Sequence, residues 1–143
     1  MAESSEADEW NIHFFQRADE TADRSGAVPS QDFLDSLSIN TRARFEAVLN
    51  AVAAAPPPNF SGGGYWHAMH GQMSGLYEVR IRADGQNHRL LCLLERRGDG
   101  LGGPSIVCLG GFSKRLRTGA HPREYRRIRS YRDEFSKDRC VAS

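Results

Sequence analysis

Three apolar runs lie close together in one stretch of the chain, Leu76–Arg82, His88–Leu94 and Ser105–Leu109. Each has the length of a strand, and each is alternating or continuously apolar. Gly85-Gln86-Asn87 separates the first pair. Gly98-Asp99-Gly100 and Gly102-Gly103-Pro104 separate the second. Neither gap can hold a helical crossover, so the three strands are expected to pair antiparallel as a meander. The runs carry Arg80, Arg82 and Arg89 and lead into Lys114, Arg115 and Arg117. A meander would bring these distant basic groups onto one sheet, which is how a small protein builds a site for a polyanion.

The flanking sequence supplies the layers around that sheet. Residues 1–9 are acidic and small and read as disordered. Trp10 to Arg17 alternates and reads as a first strand. Phe33, Leu34 and Leu37 share one helical face, with Ser30 as the expected N-cap. A second helix is predicted over Thr41–Ala55, capped by Asn40 or Thr41. Phe45, Val48, Leu49 and Val52 form its stripe, and Pro56-Pro57-Pro58 stops it. The two read as a helical hairpin. Asn59 to Gly75 reads as a loop. A last helix starts near Pro122, with Tyr125, Ile128, Arg132 and Phe135 on one face. The order is strand, two helices, three strands, helix: one α+β domain over residues 10–136, its meander joining the first strand in one mainly antiparallel sheet. Residues 137–143 read as a flexible tail.

A chain of 143 residues holds one such domain and no second of ordinary size. Its net charge of +1 hides an asymmetry. Residues 1–60 carry 4 Lys/Arg against 10 Asp/Glu, whereas residues 61–143 carry 15 against 8. A basic half of this kind attracts nucleic acid or an acidic partner. The bland alternative is a solvated helix face. The predominance of arginine favours phosphate, because the planar guanidinium donates two parallel hydrogen bonds. The three cysteines, 92, 108 and 140, have no paired-ligand spacing, and Cys92 and Cys108 fall inside strand-like runs as small core residues. No metal site is expected. The odd cysteine count, with no secretory signal and no long apolar run, leads to an expected cytoplasmic location and no membrane partner.

Three motifs occur in order: Leu76-Tyr77-Glu78-Val79-Arg80, His88-Arg89-Leu90-Leu91 and Gly111-Phe112-Ser113-Lys114-Arg115, followed by a helix from Pro122-Arg123-Glu124-Tyr125. Together with Phe33–Leu37, this pattern over about residues 10–135 resembles the RelE/ParE toxin superfamily of bacterial type II toxin–antitoxin systems. The likeness is to its HigB-like, phage-derived branch. The resemblance implies a RelE-like fold and a toxin that blocks translation by cutting mRNA on the ribosome, without a metal or other cofactor. It also implies a helix-turn-helix antitoxin that neutralises it in a hetero-oligomer. Two departures stand out. Gly110 occupies the place where relatives often carry His. Glu78 stands where RelE itself carries Lys, although the HigB-like branch carries Glu. The same superfamily contains ParE-like gyrase poisons without nuclease chemistry, and a toxin fold kept as an inactive binding module is a third reading.

Cleavage at a 2′-hydroxyl needs in-line alignment, stabilisation of charge on the phosphate, and proton transfer. Arg89 is the expected phosphate clamp, against the alternative of an exposed strand-end arginine. Lys114 and Arg115, placed after the third strand at the Gly110-Gly111 bend, are the other expected catalytic groups. Arg80 and Arg82 alternate with Val79 and Ile81, so they share a face and are expected RNA contacts. Arg117 is a candidate backbone contact, and Tyr125 could stack on a base or serve the core. Glu78 is expected to orient an arginine across the sheet. His88 should point away from Arg89.

Overall fold

The computed structural model describes residues 9–18, 21, 25–55, 64–117, 119 and 121–143. The acidic residues 1–8 and the helix stop at Pro56-Pro57-Pro58 lie outside the described residues. The elements are β1 (Asn11–Phe14), α1 (Pro29–Asp35), α2 (Ile39–Ala54), β2 (Trp66–Ala68), β3 (Leu76–Ala83), β4 (Gln86–Glu95), β5 (Ser105–Arg115) and α3 (Pro122–Asp138). The domain is α+β, with one mixed sheet in the order β1-β5-β4-β3-β2. The meander β3-β4-β5 is antiparallel as expected. β1 joins it alongside β5 in the parallel sense, with Ile12 opposite Ile106.

Several details differ from the sequence reading, each for a local reason. First, the sheet gains a fifth strand, β2, inside the expected loop: Trp66, His67 and Ala68 pair with Val79, Glu78 and Tyr77. Three residues are too few for a periodic signal. Second, the β3–β4 turn is the two-residue Asp84-Gly85, not Gly85-Gln86-Asn87. Both turn residues are left-handed, with φ of 55° and 74°, as a type I′ hairpin requires.

Third, β5 runs through the glycine pair to Arg115 instead of breaking there. The register with β4 slips between Leu91 and Cys92, so Leu109 is an extra residue in a bulge. The glycines answer to packing from two sides. A Cβ on Gly110 would lie 3.0 Å from Ile128 of α3, and one on Gly111 would lie 2.5 Å from Phe33 of α1. Fourth, the helix starts shift. Val28 precedes α1, with Pro29 in its first turn, and Ser30 is buried with its hydroxyl unpartnered among the described residues. Ser38 caps α2 by accepting from the Thr41 N–H at 3.2 Å.

The alternation of the strands divides the core in two. On one face Val79, Ile81, Leu90, Cys92, Ile106 and Cys108 pack against Phe33 and Leu34 of α1 and Phe45, Leu49 and Val52 of α2. On the other, Phe15, Leu76, Leu91, Val107 and Leu109 pack against Ile128, Tyr131 and Phe135 of α3. Tyr131, and not the expected Arg132, completes the buried stripe. Cys92 and Cys108 are free, buried core residues.

Contacts at the far end of α3 fix its position. Arg17 pairs with Glu134 at 3.0 Å. Arg139, left-handed at the C-cap, bonds Glu95 at 3.0 Å and the Asp99 carbonyl at 2.8 Å. Val141 then bridges to Phe15, so the chain end expected to be a loose tail is tied to β1. Among the described residues no helix is long and apolar enough to cross a membrane.

Candidate active site

The face of the sheet under α3 changes character along the strands. Antiparallel register sets its residues in rows. Glu78, Leu91 and Gly110 form one row; Arg80, Arg89 and Phe112 form the next; Arg82, Asn87 and Lys114 form the third. α3 lies over the first row, where Gly110 leaves room for Ile128 and Tyr131. Its first turn reaches the second row, and the third is open.

Glu78 is the anchor. Its side chain is fully buried, yet its carboxylate is charge-paired and hydrogen-bonded, as a buried charge must be. Arg80, two residues along the same strand, grips Oε1 through Nε at 2.9 Å and Nη2 at 2.8 Å. Arg89, on the neighbouring strand, stands 3.6 Å from the same oxygen. The Tyr125 hydroxyl donates to Oε2 at 2.8 Å and accepts from Arg89 Nη1 at 2.6 Å. The result is a closed chain, Arg89 to Tyr125 to Glu78, that joins the helix to two strands. Burial, then the charge of Glu78, raises the Tyr125 pKa above the ordinary phenol value, so the hydroxyl keeps its proton. Arg89 Nε is buried without a partner among the described residues, which leaves this arginine donor capacity beyond Tyr125.

Phe112 closes the row. Its ring meets Tyr125 edge-on at 5.4 Å and His121 at 5.4 Å. His121, Lys114, Pro122, Arg123 and Glu124 line a pocket of about 370 Å³ beside it. Burial, then the positive charges of Arg89 and Lys114, lowers the His121 pKa below the ordinary histidine value, against weaker opposing pulls from Glu124 and Glu78.

Of the residues expected from sequence, Glu78, Arg80, Arg89 and Tyr125 meet directly, and Lys114 lies on the same face one row away. Glu78 lies across the sheet from Arg89 at 3.6 Å and holds its own strand's Arg80 more closely. Arg82 is exposed at the open end of β3. Arg115 follows Lys114 within β5, so alternation turns it to the opposite face. Arg117 is exposed in the turn after β5 with a left-handed φ of 68°. His88 faces away from Arg89 as expected, bonding Ser113 Oγ at 2.6 Å and the Ala83 carbonyl. The residues missed were Phe112 and His121. Phe112 stood inside a quoted motif and its alternation with Lys114 was available. His121 had only its place before the helix-starting Pro122 as a signal.

Among the described residues no group of three or more His, Cys, Asp or Glu could hold a metal ion. Comparison with family models, with curated proteins and with solved structures gives no match.

Proposed function

We propose that this chain is a RelE-like toxin of the HigB-like kind that stops translation by cutting mRNA, with the face under the start of α3 as its active site. The observation that carries the reading is convergence. Arg80, Arg89 and Lys114 come from three strands to adjoining rows of one face, and Tyr125 comes from the helix above. Dispersed basic residues would serve a binding surface. Preorganised cationic donors around one point serve a phosphate whose charge grows during reaction.

In this mechanism the scissile phosphate sits over the second row. Arg89, held in orientation by Tyr125 and Glu78, donates to its non-bridging oxygens. Arg80 adds charge from the next strand. Lys114 supplies an ammonium near the leaving oxygen. Buried Glu78 acts through the arginines: both of its oxygens are already engaged. The exposed Arg82 and Arg117 lie outward, where they meet the RNA backbone. The strand–helix–helix–strands–helix order supports the RelE-like assignment. An antitoxin with acidic and apolar residues suits the basic half of the chain, and a helix-turn-helix partner follows from the resemblance.

The test is cleavage of a defined mRNA with and without programmed 70S ribosomes, mapped by primer extension, for wild type and Arg89→Ala. Ribosome-dependent cuts that Arg89→Ala loses are expected. Folded protein that leaves RNA intact and traps gyrase on DNA would replace this reading with gyrase poisoning.

A further inference from the structure

The site described so far has cations to hold a phosphate and lacks a group to take the 2′-hydroxyl proton. Arginine cannot accept one, and an ammonium has no lone pair to offer. Glu78 is fully buried, with Oε1 gripped by Arg80 and Oε2 by the Tyr125 hydroxyl. Tyr125 spends its own proton on Glu78 and its lone pair on Arg89. His67, next to Glu78 across β2 and β3, turns its Nε2 to the Gly64 carbonyl at 3.0 Å. His88 lies on the other face.

Two more imidazoles lie outside these rows: His13 bonds the Leu101 carbonyl at 2.8 Å, and His70 precedes the short turn Gly71–Met73. The fifth borders them. His121 sits at the N-cap of α3, where its carbonyl accepts from the Tyr125 N–H at 3.1 Å while its side chain makes no cap hydrogen bond. Among the described residues its ring has no hydrogen-bond partner; an edge-on contact with Phe112 positions it. The same Phe112 ring positions Tyr125, four residues along the helix, so imidazole and phenol flank one aromatic ring. The imidazole opens into the pocket it shares with Lys114.

The geometry points to His121 as the general base of this site, the group that accepts the proton of the RNA 2′-hydroxyl. The assignment rests on the endoribonuclease reading. The 2′-oxygen forms its bond to phosphorus as its proton passes to the imidazole. The bond from phosphorus to the 5′-oxygen breaks, and that oxygen leaves with a proton from the Lys114 ammonium. The products are a 2′,3′-cyclic phosphate and a 5′-hydroxyl, and the proton on His121 returns to Lys114 through solvent. The surroundings suit the role. Arg89 on β4 and Lys114 on β5 disfavour an imidazolium, and with burial they outweigh Glu124 on α3 and Glu78 on β3. The ring is therefore neutral, and able to accept, at neutral pH. At position 110 α3 packs down on the glycine, where even a Cβ would press on Ile128 and Tyr131, so an imidazole reaches this face from the helix start instead.

The experiment compares wild type, His121→Gln and His121→Ala on programmed ribosomes over a range of pH, with ribosome binding and Tm measured alongside. The expected loss in cleavage rate is about 10²–10⁴-fold, with binding and Tm unchanged. Free imidazole should partly restore His121→Ala. The wild-type rate should rise with pH through one ionisation below the ordinary histidine value of about 6.5, and this limb should vanish in His121→Gln. Variants that cut near the wild-type rate, from a wild type that cuts, would overturn the assignment of His121 alone. A folded wild type that cuts no RNA would overturn the nuclease reading, and this role with it.

Discussion

The two faces of the sheet are built by the same strands and serve opposite ends. Toward α1 and α2, the middle of the three long strands is apolar at alternate positions, from Val79 and Ile81 through Leu90 and Cys92 to Ile106 and Cys108, with the paired His88 and Ser113 beyond them. Toward α3, the same strands are apolar only at one end. Leu76, Leu91 and Val107 give way to Glu78, Arg80, Arg89 and Lys114. The helix covers the apolar end and only reaches the charged end. One face therefore holds the fold together, and the half-covered end of the other can bind. A period of two residues keeps the two tasks apart, so a change on one face should leave the other largely untouched.

That separation can be broken most severely from the core side. Phe45 is fully buried among Phe33 and the β3–β5 residues. Phe45→Ala is expected to destabilise by about 3–5 kcal/mol, read by chemical denaturation, with whatever protein remains folded keeping its cleavage chemistry. On the charged face the effect moves from stability to rate. Arg89→Ala should lower cleavage by about 10²–10³-fold, on the scale of removing one preorganised donor at a developing charge, with a much smaller change in Tm. Glu78→Gln should touch both. It keeps shape and one acceptor oxygen, turns the other acceptor into a donor, and leaves Arg80 and Arg89 without their counter-charge. Since Arg80 is 39% exposed and can rehydrate, a cost of about 1–3 kcal/mol is expected, measured by denaturation alongside the cleavage rate.

Smaller effects sharpen the comparison. His88→Ala removes a buried ring that bonds Ser113 and Ala83 on the helix-hairpin face. A loss of about 1–2 kcal/mol in stability is expected, with no loss of cleavage per folded molecule. A small effect belongs to Arg115→Ala, within about 1 kcal/mol in stability as for an exposed charge and close to wild type in rate, although its neighbour Lys114 should matter.

Much of this division was legible in the sequence. The three runs and their glycine-rich gaps gave the meander, and alternation put Arg80, Arg82 and Glu78 on one face and His88 opposite Arg89. What was not legible depended on contacts between distant residues. Nothing local marks Trp66–Ala68 as a strand; β3 makes it one. Gly110-Gly111 reads as a break because glycine usually punctuates strands. Here the pair continues β5, since α1 and α3 press on it from both sides. That reading displaced Lys114 and Arg115 into a bend and hid the alternation that separates them. His121 joins the site only because Phe112, nine positions earlier, lies beneath it.

Adjacent residues on opposite faces give the most direct test. Lys114→Ala and Arg115→Ala should be compared with wild type for cleavage of one mRNA on programmed ribosomes, after equal folding is established by Tm. Loss of cleavage in Lys114→Ala, with near wild-type cutting by Arg115→Ala, is the expected result. Equal loss in both, or a loss confined to Arg115→Ala, would contradict a single active face under α3.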